Sequence, residues 1–432
     1  MCDDSPCRLV AFVLCLRYER SRYNLCMPQS MTNFDAALKD NYGPGLKNAV
    51  NNSSAFISEV KINEDDIIGR KAVWSVHTGR SSSSGNRGEL VPLQVGDRQR
   101  YSQVFEDLVF TYHTIKVSGP SMVLTKGDQG SFARALESEI DGGEKDLKND
   151  YARQAMGQSL TDGTVLKSGP MALLSADPGT GTTLTMAAAT KSEMRYFFIG
   201  MVLQLINPAD GTARTGTYTV TAVNAAAKTV TTAEACDAGI ASGDYVVRNG
   251  NFGQEINGLR HLISTDVFAG INPATVPTWG AVSAGSVSTA ISEVLLNEAS
   301  EKVMTDGDGS TPDLWVAEFD QVRKLSSQLQ TQKRYDGMTR KLESGWTGLD
   351  IAEGTLVRDR FCPVNDIFGI TLKDLSRFVG LDWTWNPAQG GQVLQPARDG
   401  SDAVEATFRA YHNFAVTNRN SHVRVKVSTP TF

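Results

Sequence analysis

From Lys71 to His77 apolar and polar residues alternate, with Ala72, Trp74 and Val76 on one face. Val104 to Val117 alternates again through Leu108, Phe110 and Tyr112. A period of two predicts strands, and the two runs together predict a β ribbon. Between them Gly79–Glu89 reads Gly-Arg-Ser-Ser-Ser-Ser-Gly-Asn-Arg-Gly-Glu, too polar and too rich in glycine for a core. Such a tip is expected to project from its own domain, leaving strand edges that another chain must cover.

After Gly119-Pro120 the period changes. Phe132, Leu136, Ile140, Leu147, Tyr151 and Ala155 keep helical spacing, and Ser131 is placed to cap a helix running to about Ser159. That stripe is about seven turns long at 5.4 Å per turn. Gly142-Gly143 interrupts it, and about 1 kcal/mol per glycine relative to alanine predicts a bend or break there.

Residues 164–250 are dominated by Thr, Ala, Gly and Val, with short alternating runs at 184–186, 201–206, 217–223, 228–232 and 244–247. Turn clusters such as Asn207-Pro208-Ala209-Asp210-Gly211 separate them, so this segment reads as a small all-β insert. Beyond Gly258-Leu259 the pattern becomes α/β. Ser286 to Met304 is helical by Val287, Ile291, Val294, Leu295 and Ala299; Leu314–Val316 is a buried strand; Phe319, Val322, Leu325 and Leu329 give a second helix. At the end, Val423, Val425 and Val427 alternate with His422, Arg424 and Lys426, predicting a hairpin that completes a sheet beside the long helix.

Composition changes this picture little. With 432 residues, 41% hydrophobic and 21% charged, the chain is globular and long enough for two or three cores. A formal net charge of -6 gives no overall basic footprint for nucleic acid. Four of the six cysteines, Cys2, Cys7, Cys15 and Cys26, crowd the first 26 residues, so the body reads as reduced and cytosolic. Leu9–Leu16 is too short to span a bilayer and has no small-residue cleavage site. Because the composition becomes steady from Met31, residues 1–30 are expected to be an atypical leader, with translation beginning at Met31. A signal or lipoprotein segment, or a metal site without CxxC pairs, are the alternatives.

Catalytic chemistry is not evident. There is no GxSxG, HExxH or P-loop, and His77, His113, His261, His412 and His422 are scattered. Gly179-Thr180-Gly181 lacks the Lys-Ser/Thr of a phosphate loop and reads as a turn. Asp306-Gly307-Asp308-Gly309-Ser310 starts like a calcium loop but has Ala317 where the closing glutamate belongs. Trp383 and Trp385 suit either a sugar platform or sheet packing. No catalytic, cofactor-binding or metal residue is assigned, and the chain is not expected to be an enzyme.

The order of elements carries a resemblance. An N-terminal arm, a ribbon with a Gly-Ser tip before Leu90-Val91-Pro92, the exit Ser118-Gly119-Pro120, a long helix, a β insert ending in Asn257-Gly258-Leu259 and an α/β domain finishing near Cys362-Pro363 resemble a tailed-bacteriophage major capsid protein of the Hong Kong 97 type. The resemblance covers residues 31–432. It implies an α+β fold with an N-arm at 31–66, an extended loop at 67–118, a peripheral domain with spine helix at 119–163, 254–285 and 391–432, and an axial domain at 286–390. The β insert at 164–253 departs from the minimal fold.

What the resemblance implies about function is a shell of hexamers and pentamers around double-stranded DNA, held without specific contacts. Partners would be further copies of the chain, a separate scaffolding protein and a portal protein, with no membrane and no cofactor. The location would be the virion capsid, assembled in host cytoplasm. Trp74, Arg80, Arg87, Glu89, Leu108, Phe110 and Tyr112 are the expected intersubunit contacts. An encapsulin-like compartment and a β-rich adhesin or glycan-binding protein are the alternatives.

Overall fold

The computed structural model describes residues 43–120, 129–157, 159–161, 166–187, 193–307, 309–332, 339–341, 347–351, 353–387 and 391–430. The leader, the start at Met31 and most of the proposed N-arm lie outside the described residues. The chain divides into two compact units, one of residues up to Lys47, Thr114–Ile140 and Thr384–Phe408, the other of Asn48–His113, Asp141–Trp383 and Arg409–Phe432.

In the first unit Gln395-Pro396 pairs antiparallel with the start of strand Ala403–Val416, Gln395 opposite Glu405. Gly119 N donates to Asp402 O at 2.7 Å, and Lys116 Nζ meets Asp399 Oδ2 at 2.5 Å. Trp385 packs edge-on against Phe408 with ring centroids 5.0 Å apart.

The second unit begins with helix α1 (Gly43–Asn51) at its boundary, followed by α2 (Ala55–Glu59). Ser54 caps α2 by accepting from Ile57 N at 3.2 Å. Phe56, buried in α2, lies against Phe414 with ring centroids 5.6 Å apart, and strand Lys61–Asn63 runs parallel to Leu375–Trp385.

Helix α3 spans Gln129–Ala155, so Ser131 lies inside it rather than at its cap. It also runs unbroken through Gly142-Gly143, contrary to the expected bend. Leu147, Tyr151, Ala152 and Ala155 are buried beyond the glycines, and this packing outweighs a propensity deficit of about 2 kcal/mol. The side chains of Phe132 and Leu136 lie outside the described residues.

The insert is a six-stranded sheet ordered 170–173, 245–248, 202–206, 218–224, 229–232, 183–185, every adjacent pair antiparallel. It has its own core, including Leu184, Leu203, Leu205, Val220, Val230 and Val246. Gly179, at φ +57°, sits in a tight turn closed by Gly181 N donating to Pro178 O at 3.1 Å. The strand at 170–173 has no alternation to reveal it.

Past the short helix α4 (Leu259–Leu262), a seven-stranded mixed sheet is covered by α5 (Glu293–Asp306) and α6 (Phe319–Gln332). Helix α5 starts seven residues later than Ser286, because Ser292 accepts from Leu295 N at 3.2 Å and caps it. Val287 and Val294 are exposed. Strand Val423–Lys426 is no hairpin beside the long helix: it lies between Val282–Gly285, parallel, and Asp366–Ile370, antiparallel. Ahead of it Arg419 is fully buried, its guanidinium donating to the carbonyls of Leu262, Ser264, Asp266 and Trp279. That set of acceptors compensates a buried charge without a carboxylate.

Candidate assembly surface

The ribbon is real but shorter than its alternation predicted. Lys71–Gly79 pairs with Arg100–Asp107, with Trp74 opposite Val104 and His77 opposite Tyr101. At Leu108 the chain leaves this partner, and Val109–Ser118 pairs instead with Ala403–Val416. Alternation shows that a strand has two faces; it does not say which strand lies beside it.

Two of the expected contact residues belong to the subunit's own core. Trp74 is 8% exposed and stacks on Phe378 at 5.5 Å between centroids, and Leu108 is 7% exposed, with Gly380 close beneath it. They are therefore unavailable to a neighbour, which corrects their assignment. Phe110 and Tyr112 remain half exposed and meet Tyr411 edge-on. Arg80, Arg87 and Glu89 are exposed.

Between the strands lies an irregular excursion, 80–99, longer than the predicted tip. Its limbs are tied by polar contacts. Asp97 accepts from Ser82 N at 3.2 Å, Ser82 Oγ at 3.1 Å and Arg98 N at 2.8 Å, and these hydrogen bonds hold its carboxyl below the usual range. Gln99 Oε1 accepts from Ser81 N at 3.2 Å and lies 2.8 Å from His77 Nε2. On its returning limb Leu90, Leu93 and Val95 are 99%, 87% and 86% exposed. These apolar groups are thus held out in water by a polar frame. The signal was in the run Leu90-Val91-Pro92-Leu93-Gln94-Val95, which the Gly-Ser tip overshadowed.

At the root of the ribbon, Asn413 Nδ2 donates to Asp107 O at 2.9 Å and Asn413 Oδ1 accepts from Asn257 N at 2.9 Å. Glu106 lies beside them, its Oε2 3.4 Å from Asn257 Nδ2. Burial, with the Asp107 charge adding to it, pushes the Glu106 carboxyl up to about 7.

His261, His412 and His422 are buried, and that burial pushes all three down to about 3. His77 and His113 are less enclosed, and His113 lies on the strand beyond the ribbon. Trp383 and Trp385 are 3% and 5% exposed, the first edge-on to Tyr151, so they offer no sugar platform. Cys236 and Cys362 are buried free thiols. Among the described residues no three His, Cys, Asp or Glu side chains group to hold a metal, and no helix is long and apolar enough to cross a membrane. Asp308 of the calcium-like loop lies outside the described residues.

No family profile and no curated protein matches this chain. Among solved structures it is similar to the cyanophage A-1(L) capsid asymmetric unit, at 11% identity over 86% of this chain and 91% of that one, with a TM-score of 0.50. It is also similar to the capsid of a native GTA particle, at 10% identity over 88% and 90% with a TM-score of 0.42. A further similarity is to the holo-SrpI encapsulin complex of Synechococcus elongatus, at 9% identity over 87% and 88% with a TM-score of 0.41. The likeness to the cyanophage subunit spans nearly the whole of both chains and shows the fold. This chain has an α+β phage-capsid fold.

Proposed function

We propose that this chain is the major capsid protein of a tailed phage, assembling into hexamers and pentamers of an icosahedral shell around double-stranded DNA. The observation that carries the reading is the excursion 80–99, whose apolar limb is exposed on a subunit with a capsid fold. Closed shells need one chain to make heterologous contacts that close into rings, and exposed apolar segments become buried when they do. Arg80, Arg87, Glu89, Phe110 and Tyr112 would border that contact. The role is structural rather than catalytic.

The remaining partners follow from the same reading. A subunit of formal charge -6 holds a polyanion without gripping it, which suits packaged DNA. A separate scaffolding protein would direct closure in the host cytoplasm and a portal would occupy one vertex. The residues at 31–66 would form the N-arm and 286–390 the axial domain.

The test is negative-stain microscopy and light scattering of the purified chain, alone and co-expressed with a candidate scaffolding protein. Closed particles of uniform diameter are expected. A chain that stays monomeric under both conditions would overturn the proposal, and particles loaded with an enzyme rather than DNA would favour the compartment alternative.

A further inference from the structure

Strand Gly354–Arg358 and the turn after it place Arg358 and Arg360 outward and Asp359 inward, where Asp359 is buried and accepts from Phe361 N at 2.8 Å. The two guanidinium groups stand at a cleft of about 730 Å³ whose other wall is α6, with Phe319, Val322 and Arg323, and whose floor includes Ser53. Arg323 pairs with Asp320 at 2.7 Å. Arg358 and Arg360 lie over the rings of Phe319 and Phe361, and among the described residues neither joins a carboxylate. Ser53 Oγ, shielded from solvent, has no hydrogen-bond partner among the described residues. The cleft is thus cationic, partly apolar and incompletely satisfied.

The same chain carries an exposed acidic turn of complementary charge. Glu64, Asp65 and Asp66 are exposed in the turn after Lys61–Asn63, and none of the three forms an ion pair among the described residues. Their turn is preformed: Asn63 Oδ1 accepts from Asp65 N at 3.0 Å and Asp66 N at 3.3 Å, and Asn63 Nδ2 donates to Asp66 Oδ2 at 2.9 Å. Ile62 and Ile68 flank it, 43% and 70% exposed.

We propose that the Arg358/Arg360 cleft of one copy receives the Glu64–Asp66 turn of the next. Planar guanidinium groups match carboxylates in paired hydrogen bonds, and opposite charge on two separate patches of one chain gives a directional contact that can close a ring. The apolar components decide against DNA phosphates as occupant. Phe319, 39% exposed, lines the cleft and isoleucines flank the turn, so each side offers apolar area that a nucleic-acid backbone would not use. This inference rests on the self-assembly reading and adds the contact that orients neighbours.

Charge exchange tests it. Three variants are compared with the parent by sedimentation and microscopy: R358E/R360E, E64K/D65K, and all four changes together. Each half exchange is expected to lower the assembled fraction at least tenfold, and the full exchange to restore it. Thermal unfolding of the unassembled subunits checks folding; if a reversed charge prevents folding, R358Q/R360Q and E64Q/D65Q replace the half exchanges with the same expectation of loss. If the parent itself forms no particles, the self-assembly reading fails. If the parent assembles and the half exchanges assemble equally well, only this contact is overturned. Normal shells from R358E/R360E that hold less DNA would assign the cleft to phosphates and also overturn it, as would a full exchange no better than its halves.

Discussion

Trp74 stacks on Phe378 with ring planes 22° apart, so the ribbon's first strand is anchored in its own subunit before any neighbour arrives. The ribbon therefore has two energetic parts. Its root, with Ala72, Trp74, Val76 and Val104 buried, belongs to folding; its excursion at 80–99 does not.

Removing the root anchor should cost stability. Trp74→Ala leaves a cavity against Phe378, and buried large-to-small changes of this kind cost about 3–5 kcal/mol. Urea unfolding of the unassembled subunit should register that loss. A change below about 1 kcal/mol would mean that Trp74 is not anchored in the core.

The excursion should behave in the opposite way. Changing Leu90, Leu93 and Val95 together to serine should alter unfolding free energy by no more than about 0.5 kcal/mol per site, as for surface positions with no partner. Particle formation should fall at least tenfold in the same sample. Normal shells would show that this limb is not an intersubunit clasp. Excising 81–98 and closing Arg80 to Gln99 with an Asn-Gly turn should reproduce both results, because the strand pairs from Lys71 to His77 are kept.

What could be read from the chain divides along a physical line. Alternation at Ala72, Trp74 and Val76 and the turn-punctuated strands of 183–248 report local backbone period, and both elements are found there. Which strand lies beside which depends on partners far away in sequence. Val109–Ser118 leaves the ribbon for Ala403–Val416, and Val423–Lys426 enters the sheet of α5 and α6, and neither choice is written in a two-residue period. Burial ownership has the same limit. Trp74 and Leu90 are both apolar residues of one ribbon, yet only Trp74 has Phe378 to cover it.

The insert should be separable. Pro170 and Val247 are cross-strand partners, so Met171–Val246 can be replaced by an Asn-Gly turn without stretching the flanking chain. The sheet between them has its own core, and the excised subunit should stay folded and soluble. Contacts with the rest of the subunit go with it, among them Tyr196 donating to Phe361 O at 2.7 Å and stacking on the Phe361 ring, Arg195 donating to Arg360 O, and Arg195 beside the buried Glu318 at 3.5 Å. Glu318 keeps the hydrogen bond from Asp320 N at 2.5 Å but loses its cation, which should cost about 1–3 kcal/mol, recovered in part by Glu318→Gln. Insoluble protein from the excised subunit, with and without Glu318→Gln, would show that the insert shares the main core.

Glu106 predicts a pH dependence at the ribbon's root. Its carboxyl is raised from an ordinary 4.5 to about 7, chiefly by burial, so the folded state binds this proton more tightly than the unfolded chain does. The sign follows. Below about pH 4.5 the group is protonated in both states and contributes no difference; as pH rises toward 7 the unfolded chain loses its proton first, and folded stability falls. Glu106→Gln keeps a neutral group that can still accept from Asn257 Nδ2, which lies 3.4 Å from Glu106 Oε2 in the parent. The variant should match the parent at pH 4 and exceed it by about 2 kcal/mol at pH 8, with the gap opening between those values. Denaturant titrations of unassembled subunits at half-unit pH steps measure the difference directly. A gap that is constant with pH, or one that opens toward acid, would show that the half-buried carboxyl is ionised in the folded subunit.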